Sequence, residues 1–388
     1  MHLSQRIGRI EPSITLALDA RAKALRAAGR DVVNMAVGEP DFAAPQVARR
    51  AAIELIESGD VKYTPAAGMP SLRDAIASHL ERTRGGSWSR AEVTVCHSAK
   101  TALSSTLGCL VEDGDEALVP LPAWASYFDQ VRLTGANPVL VPSHRDAQGF
   151  HPDLEGLRAA LTPKTRGLMI NTPNNPSGSV WSREEVDGIA EFALEHGLWV
   201  LSDEIYGELI YDGGTLASPS SHPDARRCTL VVDGASKAFA MTGYRMGYVA
   251  GPEELTSAVA TMQSQANGSP NKVGQVAWEA ALRDVPGELE EVRARFVARR
   301  DHILAGLEAL GLETPRPRGA FYAFPNVARF LDERGSVGFC EDLLESQLLT
   351  LVPGVAFGLD DHVRLSYATD MASIDAALER LGAFLETR

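Results

Sequence analysis

The chain has 388 residues, enough for two or three domains and for a core that needs no disulfide or metal to hold it. Hydrophobic residues make up 45% and charged residues 23%, a soluble globular balance that disfavours long disorder, collagen and coiled coil. The formal charge of −14 disfavours nucleic acid as a partner and leaves a small anionic substrate open, because such a substrate feels the local field.

The N-terminal Met1–Arg6 has no apolar signal core, and no apolar run approaches the roughly 20 residues of a membrane helix. Cys96, Cys109, Cys228 and Cys340 are scattered, without a CxxC pair, so no metal set is expected and a reducing, cytoplasmic setting fits. From residue 93 the chain acquires a rhythm. Short apolar runs lie at 93–95, 117–119, 139–141, 167–170, 198–201, 229–232 and 247–250, with longer amphipathic stretches such as 182–196 between them. Runs that are apolar without alternation suit strands buried on both faces of a mostly parallel sheet, here of seven strands covered by helices. A long helix is expected over 286–310, then strands at 320–324 and 362–367, then a last helix over 373–385. These patterns imply an α/β fold with a large domain at 46–285. A smaller α+β domain combines 1–45 with 286–388.

Ligands of open parallel sheets sit beyond the carboxyl ends of the strands, so the residues after each run are informative. After 93–95 comes Cys96-His97-Ser98-Ala99-Lys100-Thr101, small residues leading into a helix start that could cradle a phosphate; an ordinary strand–helix turn reads the same way. After 167–170 comes Asn171-Thr172-Pro173-Asn174-Asn175-Pro176-Ser177-Gly178, a stiff loop able to aim an amide. After 198–201 comes Ser202-Asp203-Glu204-Ile205-Tyr206. Adjacent carboxylates point to opposite faces of a strand, so one of them should face the end of the sheet. After 229–232 comes Asp233-Gly234-Ala235-Ser236-Lys237. Of the six lysines, only Lys100 and Lys237 closely follow an apolar strand. A lysine that attacks a carbonyl must be neutral, which desolvation or a nearby cation brings about. Arg245 and Arg364 are candidate forks for phosphate or carboxylate.

These residues together resemble the aspartate-aminotransferase family of fold-type I pyridoxal-phosphate (PLP) enzymes over nearly the whole chain. The motifs follow in family order: Val37-Gly38-Glu39-Pro40-Asp41-Phe42, Lys62-Tyr63-Thr64-Pro65-Ala66-Ala67-Gly68, Asn174–Gly178, Ser202–Tyr206, Ser236–Arg245 and Val363–Ala368. The resemblance implies that Lys237 holds the cofactor as an internal aldimine and shuttles the substrate proton. Asp203 would pair with the pyridine nitrogen. Asn175 and Tyr206 would bond the ring oxygen, and Trp124 would stack on the ring. The phosphate would be held by the backbone of Ala99 and Lys100, by Ser236, by Arg245, and by Tyr63 from a second copy, which implies a homodimer. Arg364 would grip the substrate α-carboxylate, with Gly38, Trp124 and Asn175 beside it. Thr15 and Lys100 match groups that hold a distal carboxylate in dicarboxylate-specific relatives. The expected reaction is transamination between a small, acidic L-amino acid and a 2-oxo acid such as 2-oxoglutarate. Ser98-Ala99-Lys100 stands where many members have Gly-Gly-Lys, and Tyr244 where many have Trp.

Four other readings compete. The same cofactor could run β- or γ-elimination or replacement. Ser269-Pro270-Asn271-Lys272 matches the SxxK of acyl-transfer enzymes, but without the companion SDN and KTG. A nicotinamide enzyme lacks its GxGxxG fingerprint here, and a non-catalytic or regulatory binder is disfavoured because the catalytic set is intact.

Overall fold

The computed structural model describes residue 4 and the segments 7–10, 14–284 and 286–388. Its centre is a seven-stranded sheet of β1 (Val93–Cys96), β2 (Glu116–Pro120), β3 (Asn137–Val141), β4 (Thr165–Asn171), β5 (Trp199–Asp203), β6 (Thr229–Gly234) and β7 (Gly247–Ala250). The spatial order is β1-β7-β6-β5-β4-β2-β3, and only β7 runs antiparallel to its neighbours. All residues of β1, β5, β6 and β7 are buried, as apolar runs without alternation require.

Helices cover both faces. The stretch read as helical from Ser182 forms α6 (Arg183–His196), numbered after α1 (Ile14–Ala27), α2 (Gln46–Ser58), α3 (Pro70–Arg84), α4 (Ala99–Leu110) and α5 (Ser126–Thr134). Ser182 accepts from the Glu185 N–H and its own N–H donates to the Glu185 carboxylate, a reciprocal cap. Gly197, at φ 65°, ends the helix in a left-handed turn that costs glycine little. Val186, Ile189, Ala190, Phe192 and Ala193 face the sheet.

The long helix α7 (Pro286–Ala309) buries Leu289, Phe296, Ile303 and Leu307. A small antiparallel sheet follows, β8 (Tyr322–Ala323), β9 (Val352–Pro353) and β10 (Val363–Ser366), with β10 in the middle. The strand expected at 320–324 is two residues long. Ala320 takes a left-handed φ of 57°, which bends the chain before Tyr322, and Pro325 has no N–H to extend the ladder. Val33–Asn34 pairs in parallel with Leu349–Thr350, so the two ends of the chain meet. The last helix, α8 (Met371–Leu385), starts two residues earlier than its apolar pattern suggests, because Asp370 caps it through the Ser373 N–H. Among the described residues no helix is long and apolar enough to cross a membrane.

Candidate active site

The carboxyl ends of β1, β4, β5 and β6 open into one cavity of about 960 Å³. Ser98, Ala99, Lys100, Trp124, Asn175, Asp203, Tyr206, Ser236, Lys237 and Arg245 line it, and Gly38 and Arg364 close it from the side of the small sheet. Thr15 belongs to α1, but its side chain lies outside the described residues. Tyr63 is 99% exposed and does not line the cavity of its own chain.

Each wall has a local cause. Ser98 caps α4 by accepting from the Thr101 N–H, and the first N–H groups of a helix have no partner inside it. The start of α4 at Ala99 and Lys100 is therefore a donor surface on the cavity. Arg245 ends a short 3₁₀ turn at φ 57°, with Nη1 on the Thr242 carbonyl at 2.7 Å, and its exposed side chain flanks the same end of the cavity.

Asp203 closes β5 and is 3% exposed. Its Oδ2 accepts from the Tyr127 hydroxyl at 2.7 Å and its Oδ1 from the Ile205 N–H at 3.1 Å. Burial pushes its pKa up to about 6, against the pull of these donors. Asn171 steadies the floor: its amide donates to the Asp203 carbonyl at 2.8 Å and its oxygen accepts from the Asn175 N–H at 2.8 Å. The Lys237 amine donates to the Gly38 carbonyl at 2.7 Å. Burial first, and then the Arg364 charge, bring its pKa down to about 8, so a useful fraction is neutral near physiological pH.

Arg364 is 5% exposed and donates to Asn175 Oδ1 at 2.9 Å and to the Ala36 carbonyl at 2.6 Å. Its Nε has no partner, and among the described residues no carboxylate pairs with it. Its guanidinium lies 4.5 Å from the Tyr322 ring centroid and 5.0 Å from that of Phe357. A buried cation that meets only neutral acceptors is a site for an anion. The Tyr206 and Tyr322 hydroxyls are 2.7 Å apart. Trp124 stands edge-on to Tyr127, with the Lys100 amine 4.7 Å from its ring centroid.

The "Aminotransferase class I and II" family profile matches residues 30–381. The chain belongs to this aminotransferase family. An aspartate aminotransferase of Geobacillus stearothermophilus is 38% identical, with both chains covered in full. An aspartate/prephenate aminotransferase of Thermus thermophilus is 40% identical over 99% of this chain and 98% of the relative. A solved aspartate aminotransferase of Thermus thermophilus, with maleate, superposes at a TM-score of 0.94 with 40% identity, covering 99% of this chain and all of that one. This aminotransferase thus shares its fold-type I architecture with enzymes of known structure.

Tyr127 and Tyr322 were not singled out by the sequence. Tyr127 stands three residues after Trp124, but no local pattern marks its bond to Asp203. Tyr322 has no local signal either, since its place beside Arg364 comes from the pairing of β8 with β10.

Proposed function

We propose that the protein is a pyridoxal 5′-phosphate-dependent aminotransferase acting on an acidic L-amino acid, with a 2-oxo acid such as 2-oxoglutarate or oxaloacetate as acceptor. The observation that carries this is the convergence on one cavity of the Lys237 amine and the buried Asp203 carboxylate. The residues present fit the cofactor. A desolvated carboxyl at Asp203 calls for a cationic partner such as a protonated ring nitrogen. The helix start at Ala99–Lys100, the Ser236 hydroxyl and Arg245 suit a phosphate. When bound, the cofactor supplies an aldehyde for an amine to join and a ring that takes up the electron pair left at Cα.

The protein's own residues do the rest. Arg364 binds and orients the α-carboxylate, using the donor that has no partner in the protein. Lys237 takes the proton from Cα and returns it, which needs a neutral amine and a pKa near the working pH. Asp203 holds a negative charge at the ring nitrogen, with Tyr127 fixing its direction. Asn175 and Tyr206 face the ring's oxygen, and Trp124 keeps water from one side. Residues 46–285 build the cofactor's floor, and 1–45 with 286–388 bring Gly38 and Arg364 to the substrate. A second copy supplies Tyr63 to the phosphate, so the working unit is a homodimer. The acidic substrate is supported by the names of the relatives, by maleate in one of them, and by Lys100 at the cavity.

The test is Lys237→Ala. Wild-type protein loaded with cofactor should be visibly coloured, and borohydride should fix the label to Lys237. The variant should lose that link, and turnover should fall by roughly 10²–10⁴-fold or more. A variant that transaminates like wild type ends this reading. A panel of aspartate, glutamate, asparagine and aromatic donors, read by spectrum and oxo-acid product, fixes the substrate.

A further inference from the structure

Behind the sheet, on the face turned away from the cavity, lies a second set of charges that the mechanism above does not use. Side chains alternate along a strand, so Asp203 and its neighbour Glu204 point to opposite sides. Asp203 is in register with Val232, which puts the next residue of β6, Asp233, on the same reverse face as Glu204. Arg84, the last residue of α3, enters between them with its side chain 1% exposed. Its Nε donates to Glu204 Oε2 at 2.8 Å and its Nη2 to Asp233 Oδ2 at 3.2 Å, while Nη1 stands 3.8 Å from Glu208 Oε1. Glu204 Oε1 also accepts from the Ser202 and Ser218 hydroxyls at 2.9 and 2.6 Å. Asp233 Oδ1 accepts from the Gly234 N–H at 2.6 Å. Glu208 is held further by His79 and Arg293, each at 3.2 Å. Tyr248, opposite Asp233 on β7, has a buried hydroxyl without a partner.

Three carboxyl groups thus gather around one fully buried guanidinium. A cluster of this kind is weak evidence for stability, because well-packed apolar side chains of similar volume often do as well or better. What apolar side chains could not do is act on charge across the sheet. Glu204 is one residue from Asp203. Burial raises the Asp203 pKa most, and the Glu204 charge adds to it. Asp233 is pushed up to about 8 by burial, against the pull of Arg84, so the cluster's charge balance hangs on that arginine.

We propose that Arg84 is a positioning residue for Asp203 and Lys237: its fork ties together the ends of β5 and β6 that lead into them, and its charge offsets Glu204 behind Asp203. This rests on the reading that those two residues hold the cofactor.

The experiment uses cofactor-loaded R84M, R84K and E204Q. R300M is the control, since Arg300 is another buried arginine, paired with Asp212 and Asp301. The readouts are the pH midpoint of the visible absorbance, which reports the proton on the nitrogen joining Lys237 to the cofactor, and kcat and KM for aspartate. Losing the Arg84 charge favours the protonated form, so R84M should raise the midpoint by about 0.3 pH unit or more. It should also lower kcat by roughly tenfold or more with KM nearly unchanged. E204Q should move the midpoint down. R84K should recover the midpoint but not the full kcat, because it keeps the charge and loses the fork. R300M should lower the melting temperature and leave the midpoint alone. The proposal is overturned if R84M and E204Q keep the wild-type midpoint and kcat, or if R300M moves the midpoint as far. Should R84M not accumulate as folded protein, an unchanged midpoint in E204Q overturns it alone. Failure of the underlying reading looks different: wild-type protein would itself be colourless and would give no borohydride-trapped link.

Discussion

At the scale of single residues, Asp203 is held from two sides, by the Tyr127 hydroxyl and the Ile205 N–H. Its folded pKa of about 6 lies above the ordinary 3.8, so between those values the folded protein binds the extra proton. Its contribution to apoprotein stability is therefore present below about pH 4 and lost as pH rises through 6. The tyrosine favours the ionised form. Tyr127→Phe should raise the Asp203 pKa further, by roughly one to two units for a charged hydrogen bond of about 1.5–3 kcal/mol. An NMR titration of Asp-labelled apoprotein, with Asp203→Asn to identify the signal, reads the shift, and kcat should fall roughly tenfold or more. An unmoved Asp203 midpoint would show that the contact does not tune the acid. The strand pattern narrowed the acid to Asp203 or Glu204, which must face opposite ways, and only the family resemblance pointed to Asp203. Tyr127 was not legible in the sequence, since its hydrogen bond spans 76 residues and no local pattern encodes it.

Between elements, β7 comes close to the start of α4. A Cβ on Gly247 would come within 2.2 Å of the Ala99 nitrogen and 2.4 Å of the Ser98 carbonyl carbon. Both are backbone atoms of the turn proposed to hold the phosphate, so neither can swing aside. Gly247→Ala should cost about 1–3 kcal/mol in stability through overpacking. It should also weaken cofactor uptake roughly tenfold, measured by titrating apoprotein and following absorbance. Tight uptake by the variant would mean that the turn does not bear on the phosphate. The strands themselves could be read, since a parallel sheet buried on both faces writes each strand as an apolar run. Their order could not. β7 is inserted antiparallel between β1 and β6, a placement set by long-range packing that its four residues do not announce.

For the whole molecule, the exposed Tyr63 closes a stretch of chain whose apolar side chains Ile53, Ile56 and Val61 are also turned to solvent. Apolar groups gathered in this way mark an interaction surface. The proposed homodimer would cover them and carry the phenol into a neighbouring cavity. Sedimentation at micromolar concentration should give the mass of two chains. Tyr63→Phe should keep that mass but raise the cofactor's dissociation constant roughly tenfold, as expected for one lost hydrogen bond to a charged group. A monomer that retains cofactor as tightly as the predicted pair would end the proposal. Sequence motifs suggested such sharing, whereas the surface that would mediate it became visible only when α2 had a definite outward side. The contact between Arg364 and the Ala36 carbonyl has a consequence of its own, because those residues are 328 positions apart. The ribosome makes Ala36 long before the arginine that binds its carbonyl. A fragment that stops short of residue 364 contains the lysine but lacks the guanidinium proposed to hold the α-carboxylate, so it should bind no amino acid.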